Sequence, residues 1–146
     1  MTVPAINIWA VLLATLSSMV VGFIWYSRPV MGNRWMKLSG ITDDQIAKSP
    51  VPAYIATIVA SFVTALVLAG AASISQGFYG GNSVTNAVLT AVILWAGFTA
   101  ARFITHDAFD RRPWTLTLLN QGYELITLVV MALIIGLFGV TEGVPA

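Results

Sequence analysis

A carboxyl group sits where hydrocarbon is expected. Glu124 lies within LNQGYELITL, inside an apolar run over residues 114–138. It is about eleven residues, roughly 16 Å of helix, from the polar edge of that run. An ionised side chain at such depth is costly and faces either the interior of a bundle or water. Thr117, Asn120, Glu124 and Thr127 follow one another at i, i+3, i+7 and i+10 on one helical stripe, with Gln121 and Tyr123 beside it and Leu118 and Leu125 opposite. Two kinds of chemistry fit this stripe. A titrating carboxyl can take up a proton or a cation, or a glutamic acid can hold neighbouring helices by hydrogen bonds.

Trp95 falls at the same depth as Glu124. If residues 106–113 form the turn between two antiparallel helices, each residue stands about eleven positions from it. A mid-membrane indole N–H requires an acceptor. Trp95 is therefore expected to point into the bundle, toward Glu124 or another acceptor, and Asn120 and Thr127 complete the candidate intramembrane site. Thr15, Ser18, Ser61 and Thr64 count to similar depth and form a polar cluster unless each hydroxyl bonds its own helix, as serine and threonine often do. Arg102, about one turn from a helix end, is expected to reach back to the interface rather than pair with Glu124.

Other chemistries find little support in the sequence. Cysteine is absent and His106 is the single histidine, so no thiolate site and no two-histidine metal site can form. His106, Asp107 and Asp110 lack a third firmly placed ligand and read as a solvated helix end that starts the Arg-Pro turn, so no metal or other cofactor is expected. No nucleophile elbow, phosphate loop or paired carboxylate is present, and the chain is not expected to be an enzyme.

The elements that must position Glu124 are set by composition. Hydrophobic residues make up 58% of the chain and charged ones only 9%, whereas a soluble domain carries about 25% charged residues. A net charge of +1 gives no basic face for nucleic acid. Four apolar runs, at residues 6–25, 51–73, 84–105 and 114–138, each approach the ~20 residues that cross a bilayer as helix. The first run has no basic n-region and is longer than a signal-peptide core, so it is expected to be retained. The chain is thus expected to be an all-α polytopic membrane protein, a single domain of four transmembrane helices.

Charge orients the bundle. Arg28, Arg34, Lys37 and Lys48 lie in the first connection and Arg102, Arg111 and Arg112 around the third, while the middle connection, SQGFYGGNS, has no charge. The positive-inside rule then makes the two basic connections cytoplasmic and places both termini outside. In GFIWYSRPVMGNRW, Trp25 and Tyr26 suit the headgroup level, and Pro29 can start a short interfacial helix over residues 29–39 that Gly40 ends. Trp25, Tyr26, Arg28, Arg34, Trp35 and Lys37 form the expected anchor against membrane lipid. Thr42 to Gln45 has the pattern of a capping box. Ala10, Ala14, Ser18 and Gly22, and likewise Ala53, Thr57, Ser61, Ala65 and Ala69, form small-residue stripes that let helices approach closely, within the bundle or between copies.

WYS-x-P-x-x-G-x-x-W, carried here by Trp25, Tyr26, Ser27, Pro29 and Trp35 with Arg28 set between Ser27 and Pro29, together with FDRRPWTLTLLNQGY ending at Tyr123, resembles a family of small bacterial integral membrane proteins. That family is the domain of unknown function seventeen sixty-one. The resemblance covers nearly the whole chain and implies a four-helix membrane domain with no established activity. The expectation is a non-enzymatic accessory or association component of the bacterial inner membrane, N-out and C-out, acting with further copies or a larger complex. The alternative is a small proton- or cation-coupled transporter or channel that uses Glu124.

Overall fold

The computed structural model describes residues 2–3, 6–140 and 144–145, with side chains over residues 6–140. Helix α1 (Ile8–Trp25) begins at Asn7, whose side-chain oxygen accepts from the amides of Trp9 and Ala10, two donors the first turn leaves free. A single π-helical turn, Arg28–Gly32, leads into α2 (Asn33–Ser39). Gly40 ends α2 in the left-handed region at φ 73°. The Thr42–Gln45 capping box is formed in both directions and starts α3 (Asp43–Ala47). Helix α4 (Val51–Tyr79) follows Pro50, and α5 (Ser83–Leu94) starts at Asn82, whose side chain accepts from the Thr85 amide. A π-helical segment, Trp95–Ala100, carries α5 without interruption into α6 (Ala101–Phe109). After Pro113 comes α7 (Trp114–Leu137). Thr2–Val3 pairs antiparallel with Val144–Pro145, so both ends of the chain lie at one end of the bundle.

Four helical stretches, Ile8–Trp25, Val51–Tyr79, Ser83–Phe109 and Trp114–Leu137, are long and apolar enough to cross a membrane, which is the all-α polytopic architecture expected from composition. Several boundaries differ from the sequence reading. The second span continues to Tyr79, the third runs to Phe109, into the expected turn over residues 106–113, and the expected helix over residues 29–39 is divided into a π turn and α2. The division has a steric cause. The amide of Gly32 donates to the carbonyl of Ser27, five residues back, and a Cβ at Gly32 would collide with the Tyr26 carbonyl oxygen. The backbone passes too close to itself there to leave room for a side chain, so the position takes glycine.

Helix α7 packs on both α1 and α5, and α4 closes the bundle against α1 and α5. The buried core is made of small residues and a few large ones: Ala10, Val11 and Ala14 from α1, Ala65, Leu68 and Ala72 from α4, Ala87 and Ala91 from α5, and Leu128, Met131 and Ile135 from α7. All of these lie in the half of the bundle that holds the chain ends. The contact of α5 with α7 is closest at Gly136, where a Cβ would lie 2.6 Å from the Val84 Cα. At the same end Asn86 Nδ2 donates to Gln76 Oε1 and to the Gly80 carbonyl, both at 2.6 Å, while Gln76 Nε2 donates to the Gly81 carbonyl at 3.0 Å. This knot satisfies the backbone of the α4–α5 turn.

The arginine-rich half is more open. Residues 51–60 of α4 are all exposed, so only the later part of the small-residue stripe is closely packed: Ala65 and Ala69 are buried, Ser61 is half-buried, and Ala53 and Thr57 are exposed. The 29 residues of α4 extend about 43 Å at 1.5 Å per residue, beyond the ~30 Å of hydrocarbon, and a helix of that length tilts. Its first three turns stand away from the other helices. On α1, by contrast, Ala10, Ala14 and Ser18 are buried and Gly22 lies against the Tyr123 hydroxyl.

The Gly136 contact leads to a first prediction. Gly136→Val pushes a side chain into the α5 backbone and should destabilise the fold by about 1–3 kcal/mol, the usual penalty of overpacking. Gly77→Ala, where a Cβ meets nothing within 4 Å, should be neutral or slightly stabilising. Thermal unfolding of both variants in detergent checks the contrast.

Candidate functional site

The site begins with the link that fixes α7. Asp107 is only 6% exposed at the end of α6. Its Oδ2 accepts from the Thr117 hydroxyl at 2.7 Å, and its Oδ1 lies 3.7 Å from Arg112 Nε. The Arg112 amide donates to the Asp107 carbonyl, and Arg111 takes φ 54° so that the chain can reverse before Pro113. This clasp sets the rotation of the first turns of α7 and thereby the direction in which Asn120 and Glu124 point. His106 and Asp110 remain exposed, so Asp107 departs from the expected solvated helix end. Among the described residues no group of three or more His, Cys, Asp or Glu side chains is arranged to hold a metal ion.

The aromatic exit of α1 and the polar stripe of α7 meet at the next level. The Tyr26 hydroxyl donates to Asn120 Oδ1 at 3.2 Å. The Tyr26 ring lies edge-on to Trp35 at 5.4 Å between centroids and tilted against Tyr123 at 5.1 Å. Glycines make room for these rings: a Cβ at Gly122 would touch the Trp25 ring at 3.4 Å, and one at Gly22 would lie 3.2 Å from the Tyr123 hydroxyl. Burial holds the Tyr26 phenol above its ordinary value, with the nearby Tyr123 and Glu124 adding to the effect.

Above this cluster lies a vestibule of about 620 Å³ that opens between α2 and the Arg111–Arg112 turn, with Tyr26, Trp35 and Asn120 on its walls and Glu124 among the residues that line it. Glu124 also lines a second space of about 230 Å³, a groove between α7 and α4 walled by the hydroxyl-bearing Thr57, Ser61, Thr64, Tyr123 and Thr127. The half-buried carboxyl group stands at the junction of the two. Among the described residues it makes no hydrogen bond and no ion pair. The Thr127 hydroxyl is buried next to Tyr123 without a bond of hydrogen-bonding geometry. Arg102 is exposed.

Of the expected intramembrane site, then, Asn120, Glu124 and Thr127 share these two spaces, while Trp95 lines neither. Its half-buried indole donates instead to the main-chain carbonyl of Gln121 at 3.2 Å. The Gln121 side chain is 4% exposed, and both its amide atoms are buried without a partner. Thr15, Ser18, Thr57 and Thr64 each bond a carbonyl of their own helix. The expected anchor divides in two. Trp25, Tyr26 and Trp35 are half-buried and turned toward α7, with the Trp25 indole N–H buried and unpaired, whereas Arg34 and Lys37 are exposed and Arg28 pairs with Asp43 at 2.7 Å.

The sequence reading missed the roles of Asp107, of Trp35 as a vestibule wall, and of the Tyr26–Asn120 bond. A signal for the last was present: WYS and NQGY are the two most distinctive stretches of the chain, and the structure places them in contact. A family model described as protein of unknown function (DUF1761) matches residues 9–136. The chain belongs to this family. The matched region includes both halves of the cluster and every vestibule residue named here, so the site lies wholly inside the family's domain. Neither a curated protein nor a solved structure matches the chain.

Two predictions follow from the clasp and the ring cluster. Asp107→Ala leaves the buried Thr117 hydroxyl unpaired and should cost about 1–3 kcal/mol, while Asp107→Asn keeps an acceptor and should cost less; melting temperatures of the two variants decide. For Tyr26, a folded-state value raised above the ordinary one near 10 means that its share of stability is complete below that pH and falls as pH rises beyond it. Tyr26→Phe should therefore reduce the loss of stability expected of wild type as pH rises above about 10, measured by thermal unfolding on both sides of that pH.

Proposed function

We propose that this protein is a small non-enzymatic transport unit of the bacterial inner membrane that binds a proton or a cation at Glu124. One observation carries the reading: the Glu124 carboxyl stands between a vestibule and a hydroxyl-lined groove and has no hydrogen bond or ion pair among the described residues. A glutamic acid whose task was to tie helices together would be bonded to one of them. Among the described residues the only other carboxyl lining the vestibule is Asp110, exposed beside the Arg-Pro turn, which favours binding over acid–base catalysis. The arginine-rich connections are placed on the cytoplasmic side by their charge, so the vestibule opens inward and both termini lie outside.

A second reading, association with further copies or a larger complex, is favoured by α4. Residues 51–60 are exposed on every side and include Ala53 and Thr57, small enough for another helix to approach.

Wild-type protein in liposomes holding a pH-sensitive dye should dissipate an imposed proton or cation gradient faster than empty liposomes. Glu124→Gln, which folds but cannot titrate, should return the rate to that of empty liposomes. Wild-type flux equal to that of empty liposomes would favour association instead. Reporter fusions at Ala146 and near Gly80 should both report the outer side, and a cytoplasmic signal at either would reverse the orientation.

A further inference from the structure

A third space adjoins the site. Between α4 and the end of the α5 stretch lies a cleft of about 350 Å³ with Val63, Val67, Leu94, Phe98 and Leu128 on its walls. It is open to the surroundings of the bundle, since Val63 is 51%, Val67 57% and Phe98 74% exposed. Phe98 and Thr99 belong to the π-helical segment, the kind of local widening that recurs at binding sites. Thr64 and Leu128 line this cleft and also the hydroxyl-lined groove that contains Glu124. Leu128 is one turn beyond Glu124, about 6 Å along the helix. An apolar, membrane-facing space thus leads to an unpaired carboxyl group.

We infer that the site takes a lipophilic amine from the membrane, with its ammonium head at Glu124 and its apolar chain in the cleft between α4 and the π-helical segment. The inference rests on the reading of Glu124 as a ligand-binding group and adds the class of ligand and its route. The head chemistry follows from what surrounds the carboxyl. Among the described residues no cation pairs with it, and the aromatic side chains of Tyr26 and Trp35 line the vestibule and that of Tyr123 lines the groove, the side-chain type that attracts ammonium groups. An anionic head would face Glu124 itself. The route follows from charge. The vestibule mouth is lined by the charged Asp110, Arg111 and Arg112, with Arg112 held by Asp107 and Asp110, and is a poor environment for an apolar chain, whereas the walls of the cleft carry no charge.

The test is equilibrium binding to wild-type protein in nanodiscs of neutral lipid, corrected for uptake by protein-free nanodiscs. The probes are dodecyltrimethylammonium and tetramethylammonium, which share a head and differ in chain, with dodecyl maltoside as a neutral competitor. Dodecyltrimethylammonium should bind at least about tenfold more tightly than tetramethylammonium, and Glu124→Gln should weaken it by about tenfold or more. Dodecyl maltoside should not displace it. Val63→Trp, which fills the cleft from its exposed wall, should narrow the ratio between the two amines. The chain-length comparison needs no variant, and Glu124→Asp, which keeps the charge, should retain binding. Equal, Glu124-dependent affinity for both amines would overturn the lateral route while leaving a cation site at Glu124. Binding indifferent to Glu124→Gln, displacement by dodecyl maltoside, or no binding of either amine would overturn the inference. The liposome flux then decides separately whether Glu124 carries protons or inorganic cations.

Discussion

In hydrocarbon no hydrophobic force draws one helix to another, because lipid tails are as apolar as leucine. What holds this bundle together is how closely backbones can approach along α7. Gly136 brings α7 against Val84, Gly122 receives the ring of Trp25, and Gly22 on α1 receives Tyr123. Alanines on α1, α4 and α5 continue the same logic in the half that holds the chain ends, where Ala14, Ala65, Ala72, Ala87 and Ala91 are fully buried. With such small side chains the contact energy comes from dispersion over many atoms, and each atom contributes only at close range. The arrangement of the other helices is a consequence of where α7 permits that range.

The same rule explains why the site is open. Toward the arginine-rich end, α7 lines the groove against α4 with Tyr123, Glu124 and Thr127 instead of alanine and glycine, and the facing turns of α4 present Thr57 and Ser61. A carboxyl group without a partner cannot be packed against hydrocarbon at low cost. Separation of α4 leaves it facing a polar groove and the vestibule. Stability is concentrated in one half of the molecule, and the polar chemistry in the other.

Much of this was legible in the sequence. Span number and class follow from composition, the Thr42–Gln45 box from its spacing, and the placement of Glu124, Asn120 and Thr127 on one stripe from the helical period, since all three are properties of a single segment. Relations between segments were less legible. Depth counting put Trp95 level with Glu124 and left its acceptor open between Glu124 and another group; the indole takes the Gln121 carbonyl, since depth fixes height and leaves rotation free. Likewise Trp25, Tyr26 and Trp35 read as a lipid anchor by type and position, while their rings pack toward α7 through glycines that local pattern does not tie to them. Asp107 reads as solvated until its neighbour across the turn, Thr117, is known.

The π-helical segment Trp95–Ala100 acts on the third span as a phase shifter. Wider turns in the middle of a helix rotate everything beyond them relative to an unbroken α-helix. In this span Ala87 and Ala91 are buried before the segment, Ala100 at its last position and Asp107 after it. The two halves are therefore independent faces joined in series, each indexed to α7 by its own contact. Deleting one residue within 95–100 would leave the span long enough to cross, yet turn its lower half by about 100°. Asp107 would swing away from Thr117, so the third span tolerates substitution along its lipid side far better than any change in its length.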